Sequence, residues 1–561
     1  MKPLVPRRTV LAASAGLAGS ATLLPPFEPA AGAAPAAPPR GRHPAFPHGV
    51  ASGDPGPTAV VLWTRVTPTP RSTPRSGHGP RVTVRWEVAR DPRMRRVVRR
   101  GRSATGPGRD HTVKLTVTGL APSTWYYYRF TYEGHRSRVG RTRTTPAADE
   151  ETEHLRLGFV SCANLQAGWF SAYRHLAARN DLHAVVHLGD YLYEYGSDGH
   201  GMGADDVVVR PHEPAHEILG LADYRQRHAQ YKRDRDLQDL HAAYPMIATW
   251  DDHESANDAW RGGAANHSPA QEGGWRRRRA RAHRAYDEWM PARLNGSVRL
   301  RDGTRLFRTL RFGTLVDLSM LDLRTYRDEQ VADLTDTRVD DPNRTITGSA
   351  QLGWLKDSLS SSTSRWKLVG NPVLIAPLSL GGLPPEAAAA LNRLLQGAVS
   401  ANGVPLNTDA WDGYTHDRRE LFDHIAAERI DDVVFLTGDI HTGLAAELPR
   451  AKGTYPLGGN VGVEFVCASV TSNNFKDDTD TPPHTTSDVI AAALVASNPH
   501  YRYANLDDHG FCVLDVTPER IQCDWWVIGD RGQRRSGIRH HASYAVSSGS
   551  AQLSPVRDPV T

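Results

Sequence analysis

Four short segments of this chain place hard or borderline metal donors directly after an apolar run. They are Ser161-Cys162-Ala163-Asn164, His187-Leu188-Gly189-Asp190, Trp250-Asp251-Asp252-His253 and Gly438-Asp439-Ile440-His441. Asp190, Asp252, Asp439 and His441 offer carboxylate oxygens and an imidazole, donors that suit divalent and trivalent cations. Three carboxylates gathered on one rim repel one another, so one must take up a proton or a cation must sit between them. Phosphoester hydrolysis uses such cations to activate water, clamp the phosphoryl oxygens and stabilise the leaving oxygen. His253 follows directly after a candidate ligand and is well placed to protonate the leaving group.

Each segment closes a run that reads as a buried strand, over 155–160, 184–188, 245–250 and 432–436. In open α/β sheets, ligands collect beyond the carboxyl ends of the strands. One polar strand end would be unremarkable, whereas four predict an active site. Strands and helices alternate from about 152 to 530, which predicts an α/β catalytic domain. The region 43–146 reads as all-β, with Val60-Val61-Leu62-Trp63, Val82-Thr83-Val84-Arg85-Trp86 and Tyr126-Tyr127-Tyr128-Arg129-Phe130 as short strands. Its stretch 120–127 resembles the tyrosine corner of fibronectin and immunoglobulin-like sandwiches, so an accessory β-sandwich is expected there. The basic run 276–279 lies among Trp275, Ala282, Ala285, Tyr286 and Trp289 at helical spacing, and reads as an amphipathic helix with solvated arginines. Residues 531–561 are polar and aperiodic, and read as a loosely ordered tail.

The first residues read as an address. Arg7 and Arg8 form a twin-arginine pair, a weakly apolar run follows to Leu24, and Ala31-Gly32-Ala33 offers a cleavage signal. A signal peptide over 1–33 is expected, read by the Tat export machinery and leaving a secreted or cell-wall protein. The run is too short and too rich in Ala and Gly to span a bilayer well. A net charge of +5 is small for 561 residues and argues against a nucleic-acid role. Four cysteines are too few for a disulfide scaffold, although export permits a bond between Cys512 and Cys523, which flank a turn.

Taken in order, Ser161-Cys162-Ala163-Asn164, His187-Leu188-Gly189-Asp190-Tyr191-Leu192-Tyr193-Glu194, Trp250-Asp251-Asp252-His253-Glu254 and Thr437-Gly438-Asp439-Ile440-His441 closely resemble the PhoD alkaline phosphatases. That family belongs, in a wide sense, to the calcineurin-like metallophosphoesterases. Phe46-Pro47-His48-Gly49-Val50-Ala51-Ser52-Gly53-Asp54-Pro55, Leu321-Asp322-Leu323-Arg324-Thr325-Tyr326-Arg327 and His509-Gly510-Phe511 extend the resemblance over nearly the whole chain after the leader. It implies a layered α/β/β/α core behind the small sandwich. It implies Cys162 as a thiolate ligand to ferric iron where the common pattern opens with D-x-H, Tyr193 as a phenolate to the same iron, and Asp190 as a bridge. Asp252 and His253 stand at the asparagine and histidine of G-N-H-[DE], and Asp439 and His441 at the closing G-H-x-H. Calcium ions are expected beside the iron.

The expected metal ligands are thus Cys162, Asp190, Tyr193, Asp252, Asp439 and His441, and the expected catalytic set is His253, Asp252 and Asp190. Arg324, Arg327 and Asn164 are candidates for the substrate phosphate, with surface ion pairing as the alternative for the arginines. Asn257 is a further candidate donor. His187 is expected to be structural, Asp251 to face away as a support behind the ligands or a cap, and Glu254 to orient His253 or its loop. The function expected is exported, metal-dependent hydrolysis of phosphomonoesters and phosphodiesters, in which an activated water attacks phosphorus. A phospholipase D-like phosphodiesterase on the same fold is the alternative. The substrates expected are small phosphoesters or diesters, including lipid or teichoic-acid types. The intact metal positions argue against a non-catalytic surface module.

Overall fold

The computed structural model describes residues 45–197, 199, 207–294, 305–332, 336–380 and 404–561. The expected signal peptide lies outside the described residues. Two large sheets carry the fold. The ten-stranded sheet runs Leu553–Val556, Ile538–Ser547, Arg520–Ile528, Gly510–Val516, Leu155–Val160, Ala184–His187, Pro245–Ala248, Val50–Gly53, Ala59–Arg65 and Thr112–Thr118. The seven-stranded sheet runs Arg308–Phe312, Val316–Met320, Trp366–Asn371, Val433–Thr437, Asn460–Val466, Gly443–Pro449 and Tyr501–Asn505. The strands that lead to the site pair in parallel within each sheet. They are buried along their whole length and largely apolar, because both of their faces are covered.

Alternation along these strands sorts the core into layers. Leu157, Phe159, Val186, Leu188 and Ile247 meet Leu318, Leu368, Val434, Leu436 and Phe465 between the sheets. Val160, Val185 and Met246 point the other way, onto residues of helices Ser171–Ala178, Leu221–Tyr231, Arg235–Ala243 and Trp275–Trp289. The outer face of the second sheet packs helices Ser349–Ser361 and Thr415–Ala427. Each fully buried Leu or Phe in these layers contributes about 1.5–3 kcal/mol relative to exposure. The result is the expected α/β/β/α layering.

The N-terminal strands also form the all-β element expected. Val82–Ala89, Val97–Thr105 and Trp125–Tyr132 pair in a smaller sheet, whose Val84, Val88, Tyr126, Tyr128 and Phe130 pack on Val60, Leu62, Val113 and Val117. The Tyr126 hydroxyl accepts the backbone N–H of Ala121 at 2.8 Å, tying the corner. The second face of this sandwich is continuous with the catalytic sheet. Val50–Gly53 lies parallel to Pro245–Ala248, with Ser52 opposite Pro245.

Two expectations are corrected. Residues 531–561 are not a loose tail: Ile538–Ser547 and Leu553–Val556 complete one edge of the ten-stranded sheet. The chain end is tied down as well, since Val560 N–H donates to Asp524 at 2.8 Å and Arg156 donates to the Thr561 carbonyl at 2.9 Å. Half-exposed edge strands need few apolar residues, which is why the segment looked aperiodic. Arg278 in the basic helix is buried rather than solvated, and pairs with Glu217 at 2.5 Å and Glu272 at 3.0 Å. All four cysteines are free and buried. Among the described residues, no helix is long and apolar enough to cross a membrane.

Candidate metal centre

The carboxyl ends of Leu155–Val160, Ala184–His187, Pro245–Ala248 and Val433–Thr437 open into loops at one edge of the molecule. Cys162, Asp190, Asp439 and His441 all take left-handed backbone angles there, with φ of 59°, 54°, 64° and 58°. Each such non-glycine residue costs about 1–3 kcal/mol, strain that persists only where the surroundings enforce it and that clusters at functional sites. Gly189, at φ 107°, is required by a close approach. A Cβ on it would lie 2.5 Å from Asp251 Cβ and 2.7 Å from Asp251 N.

The loops gather three adjoining groups whose donor atoms lie within 4.8 Å of one another: Cys162 with Asp190 and His441, Asp190 with Asp252 and His253, and Asp251 with Asp252 and Asp439. Tyr193 joins the first group, its hydroxyl donating to Asp190 Oδ2 at 3.0 Å and lying 3.2 Å from His441 Nε2. Asp190 and Asp252 are each shared by two groups. Asp190 Oδ1 is buried with no hydrogen-bond partner. Burial, then the charge of Asp190, pushes the Cys162 thiol and the Tyr193 phenol well up. Burial also pushes Asp190 and Asp439 well up, with Asp252 and Asp251 adding to it. A buried acceptor without a donor, among acids that cannot all ionise alone, is what bound cations relieve. The residues therefore fit metal ions. The first group mixes sulfur, nitrogen and oxygen donors, and the third is oxygen alone, so they suit cations of different hardness.

Neighbouring side chains fix these donors. His441 Nδ1–H donates to the Asn473 carbonyl at 2.5 Å, leaving Nε2 as the free donor atom. Burial lowers the pKa of His441 to about 4. Its ring is thus neutral and able to bind metal at any pH above that value. Acid should strip metal from the centre as His441 and the neighbouring carboxylates take up protons. Metal analysis of the dialysed protein checks this; metal content unchanged well below the ordinary carboxylate pKa of about 4 would place these side chains outside the centre.

His253 is held by a residue to which the sequence assigned no role. Its Nδ1 lies 2.7 Å from Glu194 Oε2, and its ring packs 4.1 Å from that of Tyr193. Against burial, Asp252, Glu194 and Asp190 raise its pKa well above the ordinary value. Glu254 accepts the backbone N–H of Asp190, Tyr191 and Asp251 at 3.1, 2.7 and 2.9 Å, and so ties the loop that carries His253 to the Asp190 loop. Asp251 does not face away. It takes two hydrogen bonds from Arg324, at 2.6 and 3.0 Å.

Arg324 and Arg327 are not surface residues. Arg324 is buried among Asp251, Asp409 at 2.8 Å, Asp439 at 3.5 Å and Asp252 at 3.8 Å. Arg327 pairs with the same Asp409 at 2.8 Å and donates to Tyr414. Asn164 is buried, and its Oδ1 accepts Gln166 N–H at 3.0 Å within the Cys162 loop. Asn257 Oδ1 accepts from the Tyr195 hydroxyl at 2.9 Å. His187 meets the Tyr173 hydroxyl at 2.9 Å on the helix side of the sheet, a structural position as expected. Asp409, Ser472 and Asn473 had no signal in the sequence, because each sits in a loop without a repeated pattern.

A strand-end edge of this kind, on a layered α/β/β/α core, gathers groups able to hold metal ions. Residues 157–525 match the family model described as PhoD-like phosphatase, and residues 32–146 match that of its N-terminal domain. Alkaline phosphatase D of Bacillus subtilis (strain 168) is 35% identical over 512 residues, covering 89% of this chain and 80% of that protein. A solved structure of PhoD is similar over 93% of this chain and 94% of its own, with a TM-score of 0.81 and 32% identity. The chain belongs to the PhoD-like phosphatase family and is a phosphoric ester hydrolase.

Proposed function

We propose that this protein is an exported alkaline phosphatase and phosphodiesterase with a mixed iron–calcium centre. Cys162, Asp190, Tyr193 and His441 would hold ferric iron, and Asp252 and Asp439, with Asp251 beside them, would hold calcium. The observation that carries this reading is the sharing of Asp190 between a sulfur-containing group and an oxygen-rich one, with one oxygen buried and unpartnered. Export by the Tat route rests on Arg7, Arg8 and Ala31-Gly32-Ala33. The cations supply Lewis acidity, ionising a water near neutral pH and neutralising charge that builds on the phosphoryl group. His253, fixed through Nδ1 by Glu194, presents Nε2 and gives its proton to the leaving oxygen. Arg324 and Arg327 steady the substrate phosphate from the same edge, and Asn164 holds the Cys162 loop. The pH optimum falls on the alkaline side.

Elemental analysis with a visible spectrum tests the reading. The purified enzyme should be coloured, because thiolate and phenolate ligands give iron charge-transfer absorption. A chelator should remove activity, and calcium alone should restore much of it, since calcium held by oxygen exchanges more readily than iron held by thiolate. A colourless, fully active zinc protein would overturn the iron assignment. Restoration by zinc or cobalt only would overturn the calcium.

A further inference from the structure

The loop 471–473 touches three candidate ligands at once. The backbone N–H groups of Thr471 and Ser472 both donate to the Cys162 carbonyl at 3.3 Å. The Ser472 hydroxyl lies 2.6 Å from the Tyr193 hydroxyl, and the Asn473 carbonyl accepts from His441 at 2.5 Å. Arg531 stands behind this loop. It is 4% exposed, donates to the Thr471 carbonyl, donates to Asn473 Oδ1 at 2.8 Å and pairs with Asp477 at 3.0 Å. Its own carbonyl accepts Trp169 N–H at 2.8 Å, anchoring the guanidinium to the segment that follows Cys162. A second strut reaches the same loop. Asp477 lies 3.0 Å from His509 Nε2, His509 Nδ1 lies 2.9 Å from the Ser469 hydroxyl, and that hydroxyl is 2.6 Å from the Ser472 carbonyl.

Arg531 lies beyond residues 157–525, the stretch matched by the family model, and in the segment whose composition suggested a loose tail. Burying a guanidinium is unfavourable unless it is paired and hydrogen-bonded, and here its hydrogen bonds and ion pair go to the loop and to its strut. The planar fork matches two oxygens on the loop at once, which an ammonium cannot do with the same geometry.

We propose that Arg531 is a positioning residue of the metal centre, holding the loop 471–473 where Ser472 supports Tyr193 and Asn473 orients His441. The inference rests on these residues being metal ligands. Groups one step behind a ligand set its orientation and basicity, and their loss typically lowers metal affinity or activity about 10–100-fold.

The test compares full-length wild type, Arg531→Met, Arg531→Lys and Ser472→Ala. Metal release to a chelator is followed by elemental analysis, with the visible spectrum, kcat and KM measured alongside. Arg531→Met should release metal about 10–100-fold faster and lose kcat more than it raises KM. The lysine variant, which keeps charge but not the fork, should recover part of the difference. Ser472→Ala should shift the absorption band and speed release, and it decides the matter if Arg531→Met fails to fold. Wild-type release rates and spectrum in Arg531→Met, or in Ser472→Ala where that variant decides, overturn the proposal. Release is read for whatever metal the wild type carries, so a zinc-only wild type overturns the iron reading while Arg531 is still judged. An active wild type without metal overturns both.

Discussion

An Asp190→Asn variant should hydrolyse phosphoesters at least about a thousandfold more slowly than the wild type, a loss of ~4 kcal/mol of transition-state stabilisation. The amide has nearly the shape of the carboxylate and the wrong chemistry. Asp190 is shared between two metal-capable groups, accepts the Tyr193 proton at one oxygen and leaves the other buried and unpartnered. Asparagine supplies no negative charge, and its NH2 would point a donor where the site needs an acceptor. Metal stoichiometry and kcat/KM, measured on one preparation, check this. Full metal content with wild-type turnover would remove Asp190 from the centre.

His253→Ala should behave differently. The variant should keep its metal, yet lose about two to four orders of magnitude on substrates with poor leaving groups, such as alkyl phosphates. Nitrophenolate needs little help to depart, so the loss on nitrophenyl phosphate should be clearly smaller. The structure gives this asymmetry a source. Glu194 at 2.7 Å fixes Nδ1, and the surrounding acids raise the ring's pKa against its burial. Equal losses on both substrates would mean that His253 positions phosphate instead of moving a proton.

The donors at this edge were legible because each ends an apolar run, and burial on both faces writes a strand into composition. Their supports were not. Glu194 belongs to a recognisable motif, but its partner His253 lies far along the chain, and nothing local encodes that meeting. Asp251 was misplaced because strand alternation was carried past its limit. The strand ends at Ala248, and beyond it the loop obeys no two-residue period. Glu254 was read as serving His253 or its loop, and its reach to the N–H groups of Asp190 and Tyr191, far along the chain, carried no local signal. Arg531 was hidden by the polar composition around it. An arginine reads as solvated until the fold surrounds it with carbonyls and a carboxylate, as Arg278 also illustrates.

The order of strands in the larger sheet bears on how the chain is made. Leu155–Val160 lies between Ala184–His187, which follows it closely, and Gly510–Val516, which the ribosome delivers hundreds of residues later. Until then one side of this largely apolar strand is an open edge, a ready template for pairing with another chain. Long-range pairing of this kind is slow, and large proteins are most prone to aggregate while such edges are bare. A nascent or truncated chain that stops before residue 510 is therefore expected to be captured by chaperones or degraded. Catalytic competence arrives all at once, when the last strands dock and bring Arg531 against the loop it braces.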